Sequence, residues 1–237
     1  MRQSIDICLT PELIHQYELE DKIVVVVDIL RATSCMVTGI AQGVKEIMPV
    51  STLEECVALK GLGYFTAAER NGEKAEGFDM GNSPFEYMND ELKGEKVAVT
   101  TTNGTLAIHK SLMADEILIG AFLNIDVLAK YLSGKNQDIV IVCAGWKGKF
   151  NLEDTLFAGA LCELLKDNFE YLGDVPIAAE AMWQKLKGDL KGALQNSAHA
   201  KRLAKMNVTK DIEFCATLNE YDVIPKLFGE SLRNYQP

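Results

Sequence analysis

Several common functional signatures are missing from this 237-residue chain. Its six cysteines, Cys8, Cys35, Cys56, Cys143, Cys162 and Cys215, are widely spaced and form no CxxC pair. That excludes a zinc ribbon and a small disulfide scaffold. Histidine is scarce, three residues in all and scattered, so a His-rich metal site is not expected; oxygen ligands and Mg2+ fit better. Neither GxxxxGK[ST] nor GxGxxG occurs, so the P-loop and dinucleotide phosphate cradles are absent. Basic residues are the minority, 24 Lys+Arg against 34 Asp+Glu, for a net charge of −10. Nucleic acid, which needs clustered cations to neutralise its phosphates, is therefore not an expected partner. No apolar run approaches the roughly 20 residues of a membrane span, and Met1 to Thr10 lacks the basic and apolar regions of a signal peptide. The expectation is a soluble, cytoplasmic protein with reduced thiols and no membrane partner. Homo-oligomer formation is left open.

What is present is a repeated unit of strand, polar turn and helix. Ile23 to Val27 is a run of five β-branched residues, which predicts a strand buried on both faces of a parallel sheet. Further strands are predicted over Ser4 to Leu9, Lys45 to Val50, Tyr64 to Ala68, Lys96 to Thr100, Glu116 to Ile119 and Asp138 to Cys143. Helices are predicted after most of them. Thr10-Pro11-Glu12 and Ser51-Thr52 with Glu54-Glu55 read as helix starts. Asn124 and Asn151 read as caps of the helices over Asp126 to Leu132 and from Leu152 onward. Beyond Val175 the pattern turns helical, over Ala178 to Leu186, Ser197 to Met206 and Lys210 to Leu218. This predicts a single α/β domain over residues 1–237, or two intimately packed lobes, three-layered α/β/α with a largely parallel or mixed sheet and a helical C-terminal segment.

Ligands of open α/β sheets bind beyond the carboxyl ends of strands, and the residues there carry the chemistry. Asp28-Ile-Leu-Arg31-Ala-Thr33-Ser34 offers a carboxylate for Mg2+ or for attack, a guanidinium for an oxyanion, and a hydroxyl-bearing helix start. It departs from a haloacid-dehalogenase site, because Leu30 stands where a second Asp is needed. The longest polar segment, Glu69-Arg70-Asn71-Gly72 through Asn82-Ser83-Pro84, is expected to be a functional loop. Thr101-Thr102-Asn103-Gly104 is a second candidate anion cradle, or simply an Asn-Gly turn. Cys143-Ala-Gly-Trp-Lys147 puts a thiol near cations, with Lys147 the better candidate for holding an oxyanion. Glu153 and Asp154 open a helix, where negative charge is favourable in any case; they become metal ligands if that helix start faces Asp28. His199 lies beside a basic patch ending at Arg202.

Taken together these stretches resemble the 2-phosphosulfolactate phosphatase (ComB) family. The resemblance rests on Val-Val-Asp28-Ile-Leu-Arg-Ala-Thr-Ser34, Glu69-Arg-Asn-Gly72 with Gly77-Phe-Asp-Met-Gly-Asn-Ser-Pro84, Thr101-Thr-Asn-Gly-Thr105, Cys143-Ala-Gly-Trp with Leu152-Glu-Asp-Thr155, Ser197-Ala-His199 and Asp211-Ile-Glu-Phe-Cys215. It covers nearly the whole chain. It implies an α/β/α, Mg2+-dependent phosphatase converting 2-phospho-3-sulfolactate to 3-sulfolactate and phosphate, a step that in methanogens belongs to coenzyme M synthesis. Ala200 and Lys201 depart from the family's Gly and Arg, which bears on substrate range. On this reading Asp28, Glu69, Glu153 and Asp154 hold Mg2+. Asp28, Arg31, Glu69, Arg70 and Lys147 carry catalysis, while Thr33, Ser34, Asn82, Thr101, Thr102, Asn103, Gly104, Cys143 and His199 bind a small anionic phosphoester. A phosphatase for another phosphorylated carboxylate, or a non-catalytic anion-binding module, are the alternatives.

Overall fold

The computed structural model describes residues 2–70, 72–203 and 208–236. The run of β-branched residues forms β2 (Ile23–Val27), with every residue buried. It is flanked by β7 (Glu116–Gly120) and β8 (Ile139–Cys143), both parallel to it. β1 (Ser4–Cys8) and the two-residue β9 (Glu170–Tyr171) continue that half of the sheet, again in parallel. The other half holds β3 (Glu46–Pro49), β6 (Lys96–Thr100) and β4 (Phe65–Arg70), also mutually parallel. A short β5 (Glu73–Lys74) runs antiparallel beside β4. Full burial of the five β2 side chains supplies a gross stabilisation of roughly 10 kcal/mol. That exceeds the few kcal/mol that a partly desolvated carboxylate at the strand's end costs.

The two parallel halves are joined by an element the sequence reading did not include. β10 (Pro225–Phe228) and β11 (Ser231–Asn234) form an antiparallel hairpin inserted mid-sheet, in the order β5-β4-β6-β3-β11-β10-β7-β2-β8-β1-β9. Leu232 stands opposite Ile47 on one side and Lys226 opposite Leu118 on the other. The α/β architecture is therefore observed, with a mixed sheet. The helical C-terminal segment ends at Cys215, earlier than Leu218, and the chain finishes in strands.

Helices connect the strands: α1 (Ala32–Ala41), α2 (Leu53–Lys60), α3 (Gly104–Lys110), α4 (Ile125–Ser133) and α5 (Leu152–Leu165). α6 (Val175–Leu186), α7 (Leu190–Gln195), α8 (Ala198–Leu203) and α9 (Thr209–Cys215) follow. Of the helix expected over Ser197 to Met206, the last three residues lie outside the described residues, as does Asn71 of the polar segment. The capping box at α2 is present: Thr52 Oγ1 accepts from Glu55 N at 3.1 Å and Glu55 Oε2 accepts from Thr52 N at 3.2 Å.

The two expected asparagine caps act otherwise. Asn124 accepts from Ala121 N at 3.0 Å and donates to Val223 O at 3.0 Å, tying the approach to the hairpin into the core. Asn151 donates instead to Asp154 Oδ2 at 2.8 Å. The chain crosses between the half-sheets through α1, after β2, and α3, after β6, and both of these helices begin at the same place. Among the described residues no helix is long and apolar enough to cross a membrane, and all six cysteines are free and buried.

Candidate active site

A cavity of about 290 Å³ opens where α1 and α3 start. Asp28, Arg31, Glu69, Asn82, Asn103, Lys147 and His199 line it, joined by Leu30, Gly72, Trp146, Arg202 and Leu203. Contributions thus come from the carboxyl ends of β2, β4, β6 and β8, one from each of four strands split between the two halves of the sheet. Glu69 and Arg70 belong to the end of β4 itself, not to a loop. α3 comes very close: a Cβ on Gly104 would lie 2.6 Å from Ala32 Cβ and 3.0 Å from Asp28 Oδ2. The missing side chain of Gly104 is what lets the two halves meet at Asp28.

Asp28 is held by its own turn. Its N–H donates to Thr33 Oγ1 at 2.9 Å, and its Oδ1 and carbonyl accept from Ala32 N at 3.3 Å and Thr33 N at 3.0 Å. The start of α1 therefore serves the aspartate and has no N–H left over from Ala32 or Thr33 for a phosphate. Burial pushes the Asp28 carboxyl up to about 6. His199 and the Ala32 N–H act against that rise, and Glu69 and Glu153 add to it. An acid near neutrality in a cleft, surrounded by other acids, is a hallmark of a functional group.

Asp154 stands directly beneath and does not line the cavity. Its Oδ1 accepts from Ile29 N at 2.9 Å, while Oδ2 accepts from Gly145 N at 3.1 Å and Asn151 Nδ2 at 2.8 Å. With these donors on its two oxygens, Asp154, expected as a metal ligand, joins the turn after β2 to the turn after β8. Burial, then Asp28 and Glu153, hold its carboxyl well above the ordinary range. Glu153 is fully buried and also lies behind the cavity wall: Oε1 meets His199 Nδ1 at 2.6 Å, and Oε2 has no hydrogen-bond partner among the described residues. It grips the imidazole, leaving Nε2 as the ring nitrogen available to the cavity.

Other expected residues turn away from the cavity for identifiable reasons. Thr33 and Ser34 are fully buried, the latter donating to Ile29 O at 2.9 Å. Thr101 is occupied in a reciprocal pair with Thr105. Thr102 orients Glu69 from 3.5 Å, and Arg70 is folded back on Glu69 O and Thr100 Oγ1. Cys143 is buried, and burial together with Asp154 raises its thiol far above the normal value, so it is no thiolate. Arg31 lines the cavity, but its guanidinium is ion-paired with Asp211 of α9 and donates to Gly72 O at 3.0 Å, so its charge is balanced before any ligand arrives. The expected departures at Ala200 and Lys201 miss the cavity: Ala200 is buried and Lys201 faces solvent.

The basic side of the cavity is built by the loop after β8. Trp146 and Lys149 exchange backbone bonds of 2.8 and 3.0 Å across Lys147 (φ 50°) and Gly148 (φ 73°). Two positive φ values in a two-residue loop are the type I′ pattern, and this one presents Lys147 toward the cleft. Trp146 supplies a flat wall. Lys147 Nζ is 5.4 Å from its ring, the His199 ring 5.5 Å and Arg202 Cζ 4.4 Å. Trp146, Arg202 and Asp211 carried no assigned role in the sequence reading. A usable signal existed for Arg202: it lies three residues after His199 and so on the same face of α8.

A buried acid raised toward neutrality, facing a second acid and a group of cations at the strand ends of an α/β sheet, defines a site for chemistry on an anionic ester. The comparisons with known proteins agree. The family model described as 2-phosphosulpholactate phosphatase matches residues 8–230. A protein of Caldanaerobacter subterraneus subsp. tengcongensis named "Probable 2-phosphosulfolactate phosphatase" is 40% identical over 228 residues, covering 94% of this chain and 95% of its own length. Proteins of the same name from Thermotoga petrophila and Clostridium acetobutylicum are 41% and 37% identical. The first match covers 88% of this chain and 90% of the relative, the second 94% and 97%. The chain belongs to the 2-phosphosulpholactate phosphatase family, and hence to the phosphoric monoester hydrolases.

Proposed function

We propose that the chain hydrolyses 2-phospho-3-sulfolactate to 3-sulfolactate and phosphate with the help of Mg2+. The observation that carries this reading is Asp28, held close to neutrality at the end of β2 and facing Glu69 across a cavity whose other wall is cationic. The donor set suits an oxygen-seeking cation. Asp28 and Glu69 share the cavity with Asn82, whose buried Oδ1 has no hydrogen-bond partner among the described residues. No group of three His, Cys, Asp or Glu arranged for a metal occurs among the described residues. Mg2+, which keeps several waters and takes few protein ligands, fits two carboxylates and an amide oxygen better than Zn2+ does. When bound it would neutralise phosphate charge and polarise the phosphoryl group.

The chain's own residues do the rest. Lys147 attracts and orients the phosphate, and Asp28 either attacks phosphorus or aligns the attacking water. His199, steadied by Glu153 at Nδ1, is placed to give a proton from Nε2 to the departing alkoxide. Trp146 and Leu203 narrow the cleft and displace water. The test is phosphate release from 2-phospho-3-sulfolactate: it is expected with Mg2+, and expected to vanish with EDTA or in Asp28→Asn. Near-normal Mg2+-dependent turnover by Asp28→Asn would refute the assignment.

A further inference from the structure

A second cavity, of about 420 Å³, shares no lining residue with the active site. It opens where α2, α3 and the end of β3 meet the turn between β10 and β11. Glu55, Ala58 and Leu59 present one face of α2 to it, at i, i+3 and i+4. Leu62, Ile108, Leu112 and Leu227 continue an apolar lining. Leu62 and Leu112 are 75% and 55% exposed, so large apolar side chains stand uncovered at this groove. Apolar groups gathered around a concavity of this size mark a place where something binds. The polar groups of the lining decide what. Glu55 and Glu230 supply carboxylates and Ser51 a hydroxyl, with no Lys or Arg. Neither carboxylate joins an ion pair among the described residues. Glu55 Oε2 accepts from Ser51 N and Thr52 N, which leaves Oε1 for a ligand. His109, in the same wall, has a buried Nε2 with no hydrogen-bond partner among the described residues. The charge is thus the inverse of the active site, where Arg31, Lys147 and Arg202 face the cavity. An anion is repelled here. A second copy of the chain fits no better, since a two-fold contact would set Glu55 and Glu230 against their own counterparts.

We propose that this groove binds a small organic cation, an ammonium group carried on an apolar body. Leu59, Leu62, Ile108 and Leu112 hold the body, and Glu55 and Glu230 attract the head. The proposal does not rest on the phosphatase reading, because none of the residues assigned to that reaction lines the groove.

The experiment measures dissociation constants by NMR titration for three probes that share a phenethyl body. 2-Phenylethylamine carries a cation, 2-phenylethanol no charge and 3-phenylpropionate an anion. The amine is expected to bind at about 1 mM, the scale of so small a ligand. It should bind about threefold tighter than the alcohol, as two solvent-facing carboxylates allow, with the propionate weakest. Raising salt to about 0.5 M should shrink that advantage. Ala58→Phe, which fills the groove from an exposed position on α2, is expected to abolish binding of amine and alcohol alike. Glu230→Gln, on the exposed hairpin turn, is expected to remove most of the amine's advantage while the alcohol binds as before. The proposal is overturned if the amine does not bind, if the propionate binds as well as the amine, or if Ala58→Phe leaves amine binding intact. Two other occupants would overturn it as well. A wild-type dimer that Leu62→Glu dissociates would mean that a second copy covers the groove. Binding of a basic amphipathic peptide, lost in Ala58→Phe, with no binding of the amine would assign the groove to a protein segment. Should Ala58→Phe misfold, Glu230→Gln carries the test, and an unchanged amine-to-alcohol ratio in it counts against the proposal.

Discussion

Glu116 and Asp28 sit at opposite ends of one pair of parallel strands, and their surroundings are inverted. β2 and β7 run side by side from Ile23 opposite Glu116 to Val27 opposite Gly120. At the amino end, burial raises the Glu116 carboxyl, but Lys135 at 2.7 Å, Tyr131 at 2.6 Å and Lys226 at 3.0 Å outweigh it and hold the group below its usual range. At the carboxyl end, burial lifts Asp28 to about 6, with Glu69, Glu153 and Asp154 nearby and only His199 and a weak bond from Ala32 N opposing the rise. Glu116 ties β7, α4 and the hairpin strand β10 together. Asp28 holds only its own turn from β2 into α1. The sheet thus concentrates stabilising electrostatics at one end and leaves unsatisfied electrostatics, available to a ligand, at the other.

The comparison predicts opposite outcomes for neutralising the two acids. Asp28→Asn is expected to lower kcat/KM by about 10³-fold, the loss typical of removing a group central to transition-state charge. The same change should raise thermal stability in EDTA, because at neutral pH the folded state holds that carboxylate under duress. A fall in melting temperature would mean that Asp28 is satisfied in a way the geometry does not reveal. The next largest effect separates the site from the core at two glycines, one opening α3 and the other ending β7. A Cβ at Gly104 would press on Ala32 and Asp28 Oδ2, whereas one at Gly120 would meet Phe157 and Val25 at 2.8–2.9 Å. Gly104→Ala is expected to cost about 10- to 100-fold in kcat/KM by displacing Asp28. Gly120→Ala is expected to cost about 1–3 kcal/mol of stability through overpacking, with kcat/KM changed far less. Equal damage to both properties by both variants would erase the distinction.

How much of this was legible in sequence depends on how local the cause is. The buried strand ending in Asp28 announces itself, since five β-branched residues in succession suit little else. The hairpin did not. Pro225-Lys-Leu-Phe228 and Ser231-Leu-Arg-Asn234 are short and half polar, and their place between β3 and β7 depends on strands more than a hundred residues earlier. A clue lay in Gly229-Glu230, a two-residue connection opening on Gly at φ 62°, which suits a tight hairpin. At the site, Asp28, Glu69, Asn103 and Lys147, at or just beyond strand ends, line the cavity, whereas Arg70, Thr101 and Cys143 turn away from it. Elsewhere hydrogen bonding redirects the groups: Asp211, 180 residues from Arg31, uses up its charge, and Ile29, Gly145 and Asn151 all donate to Asp154. A motif shows which groups are near one another in the chain, but not which of them are already hydrogen-bonded. Arg202 and Trp146 escaped assignment because they meet only once folding has brought α8 against the loop after β8.

The smallest expected effect tests the stabilising end alone. Glu116→Gln should leave kcat/KM unchanged and lower the unfolding free energy by about 1–2 kcal/mol, the range of a part-buried, charge-assisted network. The pH dependence fixes the cause. Glu116 titrates lower in the folded chain than in the unfolded one, so the unfolded state takes up its proton first as the solution is acidified. Its contribution is therefore complete above the unfolded value, ~4.5, and disappears as pH falls through the folded value. Denaturant unfolding of wild type and Glu116→Gln at several pH values should show a constant gap near neutrality that closes below about pH 4. A gap that persists into acid would assign the loss to packing of the side chain rather than to its charge. The contrast with Asp28 would then rest on the site alone.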